Sequence, residues 1–161
     1  MNVEALQQMI RVLEQVENDP KLSTSFNLDN WTENAASPKW TNALSNIAEG
    51  NADASLQVVA DCGTSACACG FAALDPWFRQ RGLRFELDGH DSEIHLYDKD
   101  GEFLFHGWWA IKSFFAISMR TAEHLFSSRQ YEAGAQDPAL ILPRMVIERI
   151  QALLTKNTEE E

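Results

Sequence analysis

Apolar residues recur every three or four positions near the start of the chain, the pattern of a helix that buries one face. This stripe consists of Val3, Leu6, Met9, Ile10, Leu13 and Val16. Pro20 ends the pattern, because the residue before a proline avoids the helical region of the backbone. The sequence therefore predicts a first helix that stops at Asn18-Asp19.

The periodic pattern is lost between residues 21 and 55, where Asn, Ser, Thr and Asp are frequent. Trp31 and Trp40 lie in this segment, and a disordered chain would carry fewer aromatic residues. We therefore expect a long ordered loop with one short helix near Thr41 to Ile47. A short buried strand from Leu56 to Ala60 is expected to follow.

A helix is predicted from about Ser65 to Phe78, with an interruption at Asp75-Pro76. Beyond it, apolar and charged residues alternate, which is the signature of strands with one buried face. The alternation covers Leu83 to Leu87, Glu93 to Asp98 and Glu102 to His106. Gly101 fits a hairpin turn between the second and third segments, so the three predict an antiparallel meander.

Three further helices complete the predicted fold. Trp108 begins the apolar face of the first, Ser118 is placed to cap the second, and Pro143 suits the first position of the last. Residues 157–161 are expected to form a frayed acidic tail. The pattern predicts one domain over residues 1–161, with an α+β, mainly helical fold of about five helices packed with a small three-stranded antiparallel sheet.

The charge balance limits the classes of partner. The chain carries 13 Lys and Arg against 24 Asp and Glu, a formal net charge of −11. Such a field repels nucleic acid and anionic membranes, since binding to phosphates needs clustered cations. No segment reaches the roughly 20 apolar residues of a membrane span, and the N-terminus lacks a signal-peptide pattern. We expect a cytoplasmic protein without a cofactor, whose acidic surface suits a partner protein with a basic surface.

All three cysteines fall between positions 62 and 69, in the run Cys62-Gly63-Thr64-Ser65-Ala66-Cys67-Ala68-Cys69-Gly70. Thr64 is placed to cap a helix, and a helix N-terminus stabilises a thiolate. One interpretation makes Cys62 the nucleophile of a thiol-dependent hydrolase or transferase, with His95 or His106 as its base. The start Asp61-Cys62-Gly63 is similar to the Asp-Cys-Gly start of bacteriocin-processing cysteine peptidases.

Two other interpretations of the cysteines remain. A zinc ion could be held by Cys62 and Cys67, but structural zinc sites need four ligands. On a helix, Cys67 and Cys69 would point to opposite faces, because two residues rotate the helix by about 200°. The third interpretation is packing, since cysteine is often buried as a small apolar residue and Gly63 can adopt an unusual backbone angle. The sequence favours packing.

The cysteine run also resembles a family of small, uncharacterised bacterial and bacteriophage proteins that share a Cys-Gly-Thr-x-x-Cys-x-x-Gly segment. The resemblance covers roughly Asp61 to Leu154. Further matching features are Phe114-Phe115, Leu125-Phe126, Tyr131 and a final helix with Arg149-Ile150. It implies no particular reaction, because none is established for the family, and it supports a packing role for the cysteines.

Five tryptophans are many for 161 residues, and exposed tryptophan is a favoured interface anchor. Trp108 and Trp109 diverge by about 100° on a helix, so we expect them to differ in exposure. The candidate interface residues are Trp31, Trp40 and Trp109. The sequence thus favours a small acidic accessory protein of phage origin that binds and inhibits a host protein of a nucleic-acid-handling or defence complex.

Overall fold

The computed structural model describes residues 1–29, 31, 37–88, 91–132 and 137–159. These residues form an α+β, mainly helical fold, which confirms the predicted class, with nine α-helices rather than about five. The helices are α1 (Val3–Asn18), α2 (Pro20–Ser23), α3 (Pro38–Ala48), α4 (Gln57–Asp61), α5 (Ala68–Leu74), α6 (Pro76–Gln80), α7 (Gly107–Phe115), α8 (Met119–Phe126) and α9 (Pro143–Glu159). The strands are β1 (Leu83–Asp88), β2 (Asp91–Tyr97) and β3 (Phe103–His106).

Helix α1 follows its predicted stripe. Leu6, Met9, Leu13 and Val16 are buried, whereas Val3 is exposed and Ile10 is half-buried. Asn2 caps the helix by accepting a hydrogen bond from the N–H of Ala5 at 3.1 Å. The same side chain donates to the Phe114 carbonyl at 3.1 Å, and this contact ties the start of α1 to α7.

The short helix expected near Thr41 to Ile47 is present within α3, but another expectation for the first half of the chain is wrong. The segment Leu56 to Ala60 is not a strand, because Leu56 and Val59 bury the same side of helix α4 at helical spacing. A run of apolar residues this short does not distinguish the periodicity of a helix from that of a strand. Helix α3 begins at Pro38, three residues before the predicted start, since proline suits the first helical position. Residues 30 and 32–36 of the predicted loop lie outside the described residues.

Helix α5 is the centre of the fold. All seven of its residues are buried, and it packs against α1, α6, β1 and β2. It begins at Ala68, later than the predicted Ser65, and its cap is Cys67 instead of the expected Thr64. The predicted interruption at Asp75-Pro76 is present, because Asp75 ends α5 and its carboxylate accepts from the N–H groups of Trp77 and Phe78 at the start of α6.

The sheet is the predicted antiparallel meander, with strand order β1-β2-β3. Leu83 pairs with Leu96 across β1 and β2. The register between β2 and β3 shifts at Leu96/Tyr97, where Phe103 pairs with Tyr97 and Phe105 with Leu96. Every residue of β3 is exposed, so this strand is an uncovered edge within the described residues.

The helices after the sheet follow the sequence closely. Ser118 caps α8, as predicted, by accepting from the N–H of Thr121 at 3.0 Å. Helix α9 begins at Pro143, also as predicted, and extends through Glu159, so the first three residues of the predicted acidic tail belong to the helix. Residues 160 and 161 lie outside the described part of the chain. In that part, no helix is both long enough and apolar enough to span a lipid bilayer.

Arg149 connects α9 to the chain around α8. Its guanidinium donates to the carbonyls of His124 and Gln130 at 2.5 and 2.6 Å. It also lies 3.5 Å from the centre of the Tyr131 ring, and the Tyr131 hydroxyl donates to the Leu125 carbonyl at 2.6 Å. One cation therefore satisfies carbonyls at the end of α8 and just beyond it while covering an aromatic ring.

We predict that Arg149→Met lowers the free energy of unfolding by about 1–2 kcal/mol, because it removes two charge-assisted hydrogen bonds to carbonyls. Arg149→Lys should restore only part of the loss, since an ammonium lacks the planar fork that reaches both carbonyls. Urea unfolding measures both effects. Lys156→Met, at an exposed position on the same helix, is the control. Equal stability of Arg149→Met and wild type would contradict the role of this contact.

Candidate functional site

Cys62 does not have the environment of a nucleophile. It follows the C-terminus of α4, whereas the sequence argument placed it at the start of a helix, and a helix C-terminus disfavours a thiolate. Its thiol donates to the Lys39 carbonyl at 3.6 Å. Partial burial and then the Asp61 carboxylate raise its pKa, against a smaller opposing effect of Lys39. Neither His95 nor His106 is among the groups that shift this pKa.

The two histidines lie together on the sheet. Nδ1 of His106 is 3.0 Å from both carboxylate oxygens of Glu93, and Nε2 of His95 is 3.6 Å from one of them. The Tyr97 hydroxyl is 3.4 Å from Nδ1 of His95. Glu93 thus orients both rings. The contacts of these rings are with sheet residues and, among the described residues, do not include the Cys62 thiol. The structure therefore does not place the predicted nucleophile beside its predicted bases.

Cys67 and Cys69 form a hydrogen-bonded pair, although the sequence argument expected them on opposite faces. Cys67 precedes α5 with an extended backbone, so helical rotation does not separate the two. Its sulfur accepts from the N–H of Gly70 at 3.3 Å and from the Cys69 thiol. Burial alone would raise the pKa of Cys67, but these hydrogen bonds lower it, while burial and the neighbouring sulfur raise the pKa of Cys69.

A zinc site at Cys62 and Cys67 finds no support in the geometry. Cys67 is buried and Cys62 is half-buried, and all three cysteines are free thiols. Among the described residues, no three His, Cys, Asp or Glu side chains are grouped so as to hold a metal ion. The Cys67 sulfur instead caps helix α5, all of whose residues are buried.

Gly70 allows the backbone of Trp31 to lie directly against α5. A Cβ atom at this position would lie 2.2 Å from the Trp31 carbonyl oxygen and 3.0 Å from the Cβ of Ala66. Ala66 is bonded in turn to the preceding segment, because its N–H donates to Ser25 and its carbonyl accepts from Asn27. The last glycine of the cysteine run is therefore needed for close approach.

The three candidate interface tryptophans have different environments. Trp40 is fully buried, with its ring edge-on to Phe85 and its indole N–H donating to Ser92 at 3.3 Å. Its assignment as an interface residue is therefore wrong, because no face of it is available to a partner. Trp31 is half-buried against Trp108. Trp109 is 55% exposed, and Lys112 lies 4.7 Å from its ring.

Sequence reasoning missed three exposed apolar residues on β3. Phe103, Leu104 and Phe105 on β3 are 52%, 43% and 41% exposed. We call these three residues and Trp109 the β3 patch because they are neighbours in the chain, β3 leading directly into α7; Phe103 pairs with Tyr97 and Phe105 with Leu96, adjacent residues of β2. They are four of the eight large apolar side chains that the described residues expose. The sequence did contain a signal for this surface: three consecutive apolar residues make both faces of a strand apolar.

Comparison of the chain with protein-family models, with curated proteins and with solved structures finds no match. The resemblance of the cysteine run to small bacterial and bacteriophage proteins therefore stays a prediction.

We predict that Gly70→Ala destabilises the protein by about 1–3 kcal/mol, the usual cost of forcing an extra carbon into a packed site. The clash is with the Trp31 backbone, so the near-ultraviolet circular dichroism of the tryptophans should change as well. Gly50→Ala is the comparison, because a Cβ there meets nothing within 4 Å and only the backbone angle is strained. An unchanged tryptophan spectrum in Gly70→Ala would contradict the close approach.

We predict that Cys62 reacts with iodoacetamide more slowly at pH 7 in the folded protein than in the urea-unfolded chain. The raised pKa leaves less thiolate at neutral pH, so the rate should keep rising beyond the pH at which the unfolded chain levels off. Peptide mass spectrometry assigns the modified cysteine. Faster reaction in the folded state would revive the nucleophile hypothesis.

Proposed function

We propose that this protein is a binding protein that occupies a partner protein through the β3 patch. The observation that supports this most is the exposure of four large apolar side chains within seven residues, on an edge strand and the helix that follows it. Soluble proteins rarely leave such surface uncovered unless it binds something. Phenylalanine and tryptophan are also the residues that anchor interfaces.

The partner's binding segment is extended and apolar, with basic residues near its apolar centre. An edge strand has unpaired backbone groups that a second strand can bond, and this gives the extended form. Asp100 and Glu102 are exposed just before β3, and the chain as a whole carries a net charge of −11. Basic residues on the partner would complement these carboxylates and raise the rate of association.

In its specific form, the proposal makes the partner a host protein of a nucleic-acid-handling or defence complex, and binding inhibits it. Such proteins carry basic surfaces for phosphates, and an acidic protein competes for the same surface. The resemblance of the cysteine run to phage and bacterial proteins supports a host-directed role. The environment of Cys62 offers no comparable support for a thiol-dependent enzyme.

A capture experiment with paired variants tests the proposal. Tagged wild type, F103S/F105S and the control L140S/L142S are incubated with nuclease-treated host-cell lysate, and retained proteins are identified by mass spectrometry. Leu140 and Leu142 are 54% and 48% exposed, so the control removes as much exposed apolar surface away from β3. We expect one protein on wild type and on the control, with at least about tenfold less on F103S/F105S, as for the loss of interface anchors.

Charge reversal separates the electrostatic part. D100K/E102K should weaken capture of the same protein and make it less sensitive to salt, because exposed charges act mainly on association. All these positions are exposed, and circular dichroism checks that each variant is folded. Capture of the partner by F103S/F105S at the wild-type level would refute the role of the β3 patch.

A further inference from the structure

A cleft opens beside Trp108, near the start of α7. It has two cavities of about 410 and 140 Å³; we call the smaller one the inner cavity because it borders the buried Cys67 and Phe126, and the larger one the outer cavity. Leu28, Asp29 and Trp108 line both, so the two cavities adjoin. Their size is within the range of sites for small organic molecules, and the inner cavity alone matches the volume that holds a benzene ring.

Three aromatic residues and Leu28 line the inner cavity beside Asp29 and Cys67. Trp31 and Trp108 meet there with ring centres 5.1 Å apart and an angle of 54° between planes, which makes a corner of two indole rings. Phe126 completes the aromatic wall. An indole face attracts a cation as well as an apolar group. The inner cavity thus suits a small apolar body that carries a positive charge.

One carboxylate, that of the exposed Asp29, borders this aromatic corner. Asp29 lines both cavities, and its carboxylate accepts a hydrogen bond from the buried Ser128 hydroxyl at 2.9 Å, which holds it in place. Glu123 lines the outer cavity, opposed by Arg129. Cys67 also lines the inner cavity.

We propose that this cleft binds a small organic amine, whose apolar body packs against Trp31 and Trp108 and whose ammonium group faces Asp29. The ligand is a primary amine with a ring on a short chain, since the inner cavity accepts one ring. This site is separate from the β3 patch: Trp108 is half-buried in the cleft, whereas its neighbour Trp109 is exposed.

Three probes of the same size test the charge requirement. Phenethylamine is a cation, 2-phenylethanol is its neutral analogue and 3-phenylpropionate is an anion. None of the three absorbs at the long-wavelength edge of the tryptophan absorption band, where the fluorescence is excited. Quenching of tryptophan fluorescence measures affinity. We expect the amine to bind at least about tenfold more tightly than the alcohol and the anion to bind more weakly still.

Asp29→Asn should reduce the preference for the amine to about twofold and leave the affinity for the alcohol unchanged, because the amide keeps the oxygen that bonds Ser128 but loses the charge. Asp53→Asn, at an exposed position outside the cleft, should behave as wild type. Equal binding of the three probes, no binding of the amine at millimolar concentration, or an unchanged preference in Asp29→Asn would each overturn the proposal.

Discussion

The fold depends on burying a helix that has no polar side chain. Every residue of α5 is buried, and the helix is surrounded by α1, α6 and two strands. Its first N–H groups cannot reach water, so they need a partner within the protein. The Cys67 sulfur accepts one of them from Gly70. Small residues along the helix then let neighbouring backbone come close, and the Trp31 carbonyl does so at Gly70.

That close approach has consequences beyond the core. It holds the segment before Trp31 against the cysteine run, where Phe26 and Ala66 form a bridge between the two stretches of chain. Trp31 in turn meets Trp108, and together they form the aromatic corner of the cleft. Trp109, next along α7, is exposed. The same helix therefore contributes to a concave site and to a protruding one.

The cysteines and histidines show why residue type alone is weak evidence for chemistry. Cys62 follows the end of a helix, where the dipole and Asp61 oppose a thiolate. His95 and His106 share Glu93 on the sheet, so both have the orienting partner that a base needs. In the described part of the chain, however, neither ring contacts Cys62. An exposed apolar strand and a cleft lined by indoles and carboxylates are stronger indications, since both leave favourable interactions to be made by another molecule.

Local pattern determined much of this protein from the sequence: the stripe of α1, the three alternating strands, the interruption at Asp75-Pro76, the Ser118 cap and the start of α9 at Pro143. These features depend on residues only a few positions apart, so the sequence alone indicates them. The sequence could not distinguish helix from strand at residues 56–60, and it could not show that Trp40 is buried while β3 is exposed. Only the tertiary structure decided these, because burial, the sulfur cap on α5 and the meeting of Trp31 with Trp108 depend on contacts between residues far apart in the chain.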